Sequence, residues 1–350
     1  MSRARLETLT GYRGVAALAI VVFHAAIAFA PGSNLVHLTR TFPAAVSFFF
    51  VLSGFVLTWS WTGSSLSRFW RDRSARILPV YVLAWVLAVA GLAWLRWTPS
   101  QTEMLTSLLL LQAWVPGDHF AVAVNVPAWS LSCELAFYAA LPFVAPRLLA
   151  APERQLRRAG VATGGWTVVA ALLVLWLPLL WWPPVRAPEF LAGVLLAVWM
   201  RRGWRPGPRT RMIGVVATMV FVALTVSPLG VAQAVLPPLA VPACLWLIAT
   251  TAQRDLARAP ADRSKLTSVL RPLGQWSYPL YLTHWVVVVL ISRFLLGPWW
   301  IPLAVLASVA VAAAVHLMVE APAQVAWRSP RIARDVDLPT PLPSVEASGP

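Results

Sequence analysis

The chain has 350 residues, of which 59% are hydrophobic and 12% charged, and its mean hydropathy is +0.70. Soluble domains carry about a quarter charged residues and somewhat under half apolar ones, so an ordinary soluble enzyme is excluded and a polytopic membrane protein is indicated. The net charge of +15 does not mark a nucleic-acid binder, because the basic residues lie in short clusters between apolar runs and no basic, aromatic-bearing soluble module accompanies them.

Ten apolar runs follow one another, at 12–30, 42–60, 77–95, 129–146, 161–182, 188–200, 212–230, 232–252, 273–292 and 299–319. The first ends in "AFA" (28–30), which looks like a leader cleavage site. Pro31 would follow that cut, and a histidine in mid-run is foreign to a leader core, so the run is read as a retained first transmembrane helix. The segment 103–128 is too short and interrupted to cross, ending in "PGDHFAVAVNVP", and is read as a re-entrant or outer-surface excursion. The run at 188–200 is also short.

The arginines test this topology. With a cytoplasmic N-terminus, 24 of the 28 basic residues fall inside, and only Arg40, Arg96, Arg186 and Arg293 remain outside. Counting 103–115 as a crossing would invert everything downstream and destroy the bias. The expected fold is therefore an all-α polytopic membrane protein with about ten transmembrane helices and both termini cytoplasmic. Residues 1–325 form the membrane-embedded domain, and the proline-rich stretch 326–350 reads as a disordered cytoplasmic tail. Twenty tryptophans fit interfacial anchoring. No internal repeat of the kind common in transporters is evident. Cys133 and Cys244 lie singly in apolar runs and give neither a disulfide framework nor a metal-ligand spacing.

Ionisable groups inside a bilayer cost roughly 3 kcal/mol or more, so each is a functional candidate. In "GYRGVAALAIVVFHAAIAF" (11–29), Arg13 and His24 are about three helical turns apart and share a face, with His24 roughly 16 Å deeper. His24 fits a proton-transfer group near the midplane, or equally a histidine hydrogen-bonded to a neighbouring helix. "FFFVLSGFVL" (48–57) places Ser53 and Gly54 in mid-span, where small residues permit close helix approach. In "SRFWRDRSARILPVY" (67–81), an inner loop before the third span, Arg73 and Arg76 point the same way. They offer a fork for a phosphate-bearing ligand, or an ordinary cluster touching anionic lipid heads.

"AWSLSCELAFY" (128–138) puts Glu134 one to two turns below the outer surface, where it either reaches His24 and orients it or merely pairs with an arginine or hydroxyl for packing. Trp129 there reads as an interfacial anchor. "QWSYPLYLTHWVVVV" (275–289) arrays Ser277, Tyr278, Tyr281 and His284 along the inner half of a late span, with Tyr281 and His284 able to act together. His316 and Glu320, four apart, read as a structural pair. His37 and His119 carry no clear signal.

Taken in order, "GYRGVAALAIVVFH", "FFFVLSGFVL", "RDRSARILPVY", "AWSLSCELAFY" and "SYPLYLTHW" resemble acyltransferase family 3, integral membrane proteins that O-acylate sugars and related hydroxyl compounds. The resemblance spans residues 11 to about 285. It implies an arginine–histidine pair on the first helix, met by Arg13 and His24. It also implies an Arg-x-x-Arg pair, met by Arg73 and Arg76, and a Trp-Ser-Leu…Glu stretch, met by Trp129, Ser130, Leu131 and Glu134. Two positions depart: Thr10 stands where the family often has an acidic residue, and Glu134 is followed by Leu135 where an acidic pair is frequent.

The resemblance implies a cytoplasmic acyl-CoA co-substrate, with acetyl as the default acyl group, and no permanently bound cofactor or metal. Arg13, Arg73 and Arg76 would hold the donor phosphates. His24 would act as general base or transient acyl carrier, oriented by Glu134, with Ser53, Trp129, Tyr281 and His284 shaping the substrate pocket. The expected partners are acyl-CoA, a carbohydrate or glycoside acceptor and the lipid bilayer, with no nucleic acid. The alanine-, arginine- and proline-rich composition suggests a GC-rich bacterium and hence its cytoplasmic membrane. A proton-coupled small-molecule transporter or flippase is the alternative, because it uses intramembrane ionisable groups equally well. A polyprenyl-phosphate glycosyltransferase would want acids in the first outer loop, and residues 31–41 contain none.

Overall fold

The protein is described by a computed structural model covering residues 6–115, 117–226, 236–257 and 265–327. Its helices are, in chain order, α1 (Glu7–Phe29), α2 (Asn34–Leu38), α3 (Ala44–Trp59), α4 (Leu66–Trp94), α5 (Gln101–Leu108), α6 (Asp118–Val122), α7 (Trp129–Ala150), α8 (Glu153–Trp176), α9 (Pro183–Arg201), α10 (Pro208–Val226), α11 (Leu236–Ala257), α12 (Lys265–Gln275), α13 (Ser277–Ser292), α14 (Ile301–Val315) and α15 (Ala321–Trp327). No strand occurs among the described residues. A π-turn, His316–Glu320, joins α14 to α15. The tail beyond residue 327 and the turn between the expected seventh and eighth spans lie outside the described residues.

Among the described residues, six helical stretches are long and apolar enough to cross a membrane: those built on α1, α4, α7, α8, α10 and the α14–α15 run. The apolar helices α3 and α13 have 16 residues each, about 24 Å, somewhat short of a hydrocarbon core of roughly 30 Å. Within 103–128 the structure has only the short helices α5 and α6 and a 3₁₀ turn at Val126–Ala128. That segment folds back into the body. Gln112, Ala121, Val124 and Asn125 are buried, and Asn125 Nδ2 donates to Leu282 O at 3.0 Å.

Two local readings are corrected. The arginine stretch before the third span is helix rather than loop: α4 starts at Leu66, with the Ser65 hydroxyl accepting from the Arg68 amide at 3.4 Å. The side-chain cap satisfies an otherwise orphaned donor, so the helix begins well before the apolar run does. Arg186, expected in an outer loop, is buried in α9. There it pairs with Glu189 (Nε–Oε1 2.7 Å), donates to Ser47 Oγ at 3.3 Å, and stacks on Phe50 and Trp129. Glu189, one turn on, compensates the charge that would otherwise keep an arginine in water.

Helices in a membrane gain little from apolar burial and associate by close packing. α1 lies at the centre, contacting α3, α11, α12, α13 and α14. α8 stands at the edge, with only 6% of its apolar window buried against 39% for α1. The tightest crossing is α3 on α9, where Gly54 meets the backbone of Phe190, and Gly193 that of Val51. The start of α1 is fastened by α11: Asp255 accepts from the Thr8 amide at 3.0 Å and from its hydroxyl at 2.5 Å. That carboxylate caps the positive end of α1, where Leu6 has no side chain able to do so.

Candidate active site

The main cavity opens among α1, α3, α4, α7 and α13, with about 890 Å³ of space free of protein atoms, part of it open to solvent. Arg13 comes from α1, Ser53 from α3, Arg73 and Arg76 from α4, Glu134 and Tyr138 from α7, and Tyr278 and Tyr281 from α13. Among the described residues Glu134 is the only acidic group in this lining, against three guanidinium groups. The cavity is therefore a positively charged recess walled by Phe49, Phe50, Leu57 and Ile77, suited to an anionic ligand with an apolar arm.

Glu134 is fixed by two hydroxyls. Ser53 Oγ donates to its Oε1 at 2.9 Å, and Tyr138 Oη donates to the same oxygen. Tyr138 is one turn after Glu134, so α7 itself supplies that donor. Glu134 lines the same cavity as Arg13, Arg73 and Arg76 and sets one negative charge among their three positive ones. On the remaining side, Tyr278 Oη donates to Ile77 O at 2.9 Å and clasps α13 to α4.

His24 is not beside Glu134. Its Nδ1 lies 2.9 Å from His284 Nε2, and the two rings stack with centroids 5.1 Å apart. The expected Glu134–His24 pair is thus replaced by two separate pairings, because α13 faces the His24 side of α1 and supplies a closer partner. Tyr281 stands between the groups. It lines the cavity, its ring is 6.2 Å from that of His284, and its hydroxyl contacts Ser130 Oγ (2.8 Å) and Pro127 O (3.0 Å).

Six of the sequence-predicted residues, Arg13, Ser53, Arg73, Arg76, Glu134 and Tyr281, thus meet at one cavity. His24 and His284 form the layer behind it. Trp129 lies outside the lining and is no interfacial anchor. It is 5% exposed, edge-on to Trp181 at 4.7 Å, and serves as a platform for Arg186. Sequence reasoning missed Tyr138 and Arg186. A phenol one turn after Glu134, and an acid three residues after an arginine, were the available signals. The pairing of His316 with Glu320 is present as read, at 2.8 Å, with Gln324 donating to the other carboxylate oxygen.

Known proteins match this sequence along most of its length. An acyltransferase-domain family model covers residues 6–317. An acyltransferase of Streptomyces mycarofaciens, MdmB, is 35% identical over 322 residues, covering 81% of this chain and 79% of the relative. No solved structure matches. The family model spans α1 through the first residues of the π-turn, and so takes in every helix that contributes to the cavity and both histidines. The chain belongs to acyltransferase family 3, and it is a multi-pass membrane acyltransferase.

Proposed function

We propose that the protein transfers an acyl group, by default acetyl, from cytoplasmic acyl-CoA to a hydroxyl of a carbohydrate, a glycolipid or a secreted glycosylated small molecule. The observation that carries this reading is the convergence of Arg13, Arg73 and Arg76 on one cavity with an apolar wall. Three guanidinium groups match the phosphates of a coenzyme A donor, and the apolar wall matches its extended arm. On the ten-span reading with both termini inside, these arginines would stand at the cytoplasmic face of a bacterial inner membrane. The outward-facing Val, Leu and Met side chains of α8 and α10 then meet lipid.

In this reading the donor phosphates lie against the arginines and the thioester passes Tyr281 towards His24. His24 takes the proton of the acceptor hydroxyl as that oxygen bonds to the thioester carbonyl carbon. The carbon–sulfur bond then breaks, and the leaving thiolate recovers the proton, giving an ester and free coenzyme A. General-base assistance of this kind is worth about 10²–10⁴ in rate. Glu134, held by Ser53 and Tyr138, offsets part of the positive charge of the arginine cluster and is not itself the partner of His24.

The test is to incubate the purified, reconstituted protein with isotopically labelled acetyl-CoA. Hydroxyl compounds extracted from a strain lacking the gene serve as acceptors, and products are followed by mass spectrometry. Labelled ester together with free coenzyme A supports the reading. Movement of an acceptor across the bilayer without label transfer would favour a transporter.

A further inference from the structure

The bonds around the pair formed by buried His284 and partly buried His24 determine where its protons sit. His284 Nδ1 lies 3.0 Å from Leu280 O, and a carbonyl oxygen only accepts, so Nδ1 of His284 carries a proton. A neutral imidazole has one N–H, which leaves His284 Nε2 as an acceptor. His24 Nδ1, 2.9 Å away, must then be the donor. The single proton of His24 is committed to Nδ1, and its Nε2 is left as a free basic nitrogen. A charged His284 would reverse the second bond. However, His284 is fully buried, its ring stands against His24 and Tyr281 and bonds within its own helix, and among the described residues neither histidine is hydrogen-bonded to a carboxylate. An uncompensated cation in that position carries the full desolvation cost. The rings of Phe23 and Trp285, 5.4 and 5.2 Å from His24, flank it and hold its orientation.

We propose that His284 is a positioning residue of the acyl transfer. By accepting from Nδ1 of His24, it holds His24 in the tautomer whose Nε2 takes the acceptor hydroxyl's proton. Leu280 O and His284 do for His24 what a buried carboxylate does in a serine hydrolase, with a helix carbonyl at the end of the chain in place of an acid. When Nε2 gains the proton during transfer, the resulting imidazolium keeps its Nδ1–H bond to His284. The thiolate of the leaving coenzyme then removes the Nε2 proton and restores the starting tautomer. This inference rests on His24 being the base.

The experiment is ¹⁵N magnetic resonance of the full chain labelled at histidine. The chain has five histidines, and a His24→Ala sample identifies the signals of His24. The expected result is a proton on Nδ1 and a bare Nε2 at His24 in the unsubstituted protein. His284→Gln, whose side-chain oxygen can accept, should preserve that state. His284→Leu should shift the proton towards Nε2. In acyl transfer, His284→Leu should lose on the order of 10²–10⁴ in kcat with the KM for the donor changed by less than about 2-fold, and His284→Gln should recover most of the loss.

A protonated Nε2 at His24 in the unsubstituted protein would overturn the relay, a measurement that depends on no variant folding. So would an unchanged kcat in His284→Leu alongside an inactive His24→Ala. Full activity in His24→Ala would overturn the choice of base instead, whatever the tautomer.

Discussion

The crossing of α3 and α9 gives a prediction whose size follows from the backbone. A Cβ placed on Gly193 would lie 1.9 Å from Val51 O, and one placed on Gly54 2.1 Å from Phe190 O. Cβ atoms essentially never come within 3.0 Å of another heavy atom, so Gly193→Ala requires the two helices to part by at least about 1.1 Å. Both atoms in conflict belong to main chain, and no rotamer change relieves them. Overpacking of this kind costs about 1–3 kcal/mol, partly offset by up to ~1 kcal/mol from the better helix propensity of alanine. Ser53 is next to Gly54, so parting the helices also loosens the Ser53–Glu134 bond, and acyl transfer should fall as well. The control is Gly164→Ala on α8, where an added Cβ meets nothing within 4 Å. It keeps the propensity gain without the clash. Thermal unfolding of the purified proteins, followed by tryptophan fluorescence, should place Gly193→Ala several degrees below the unsubstituted protein and Gly164→Ala at or above it. Equal melting temperatures for the two variants would refute the close-packing argument.

Other consequences are as direct. Arg186→Met strands Glu189 in the interior and should destabilise by about 3–5 kcal/mol, whereas Arg186→Met with Glu189→Leu should recover most of that in denaturant or thermal unfolding; a double variant as unstable as the single would contradict the pairing. Replacing Arg73 and Arg76 together with glutamine should raise the KM for acyl-CoA by roughly 10–100-fold while leaving that for the hydroxyl acceptor nearly unchanged, measured by steady-state kinetics. At the exposed start of α5, hydrogen bonds from Ser100 hold the Glu103 carboxyl below its ordinary value. The capping box is therefore fully present above the ordinary glutamate pKa and is lost as pH falls through the lowered one. Amide protection in the first turn of α5, measured relative to the intrinsic exchange rate, should fall only under acid conditions, and Ser100→Ala, which keeps only the backbone donor, should weaken that pH dependence.

Much of this site was legible in the sequence because its residues are costly where they stand. Arg13 and His24 share a face, as their spacing requires, and Arg73, Arg76, Ser53 and Tyr281 reach the same cavity. What periodicity cannot supply is the neighbour of each face. It orients His24 about the axis of α1 but says nothing of whether α7 or α13 lies opposite, so Glu134 was assigned where His284 stands. Hydropathy also hid the first turns of α4, because four arginines and an aspartate dilute the apolar signal while Ser65 and the backbone still dictate helix. Arg186 was placed in water by its charge alone. Only the contacts of Glu189, Ser47, Phe50 and Trp129 reveal why it is buried. The resemblance to a known family carried the reaction class, while the bundle geometry supplied the partners.

The most direct measurement follows labelled acetyl-CoA through the reconstituted protein and its His24→Ala variant, matched for folding by melting temperature and chromatographic profile. The unsubstituted protein should release one coenzyme A for each ester formed. His24→Ala should still bind the donor through Arg13, Arg73 and Arg76 yet form ester slower by about 10²-fold or more. Ester formation at an undiminished rate in His24→Ala, or coenzyme A release with no ester in the unsubstituted protein, would contradict acyl transfer at His24.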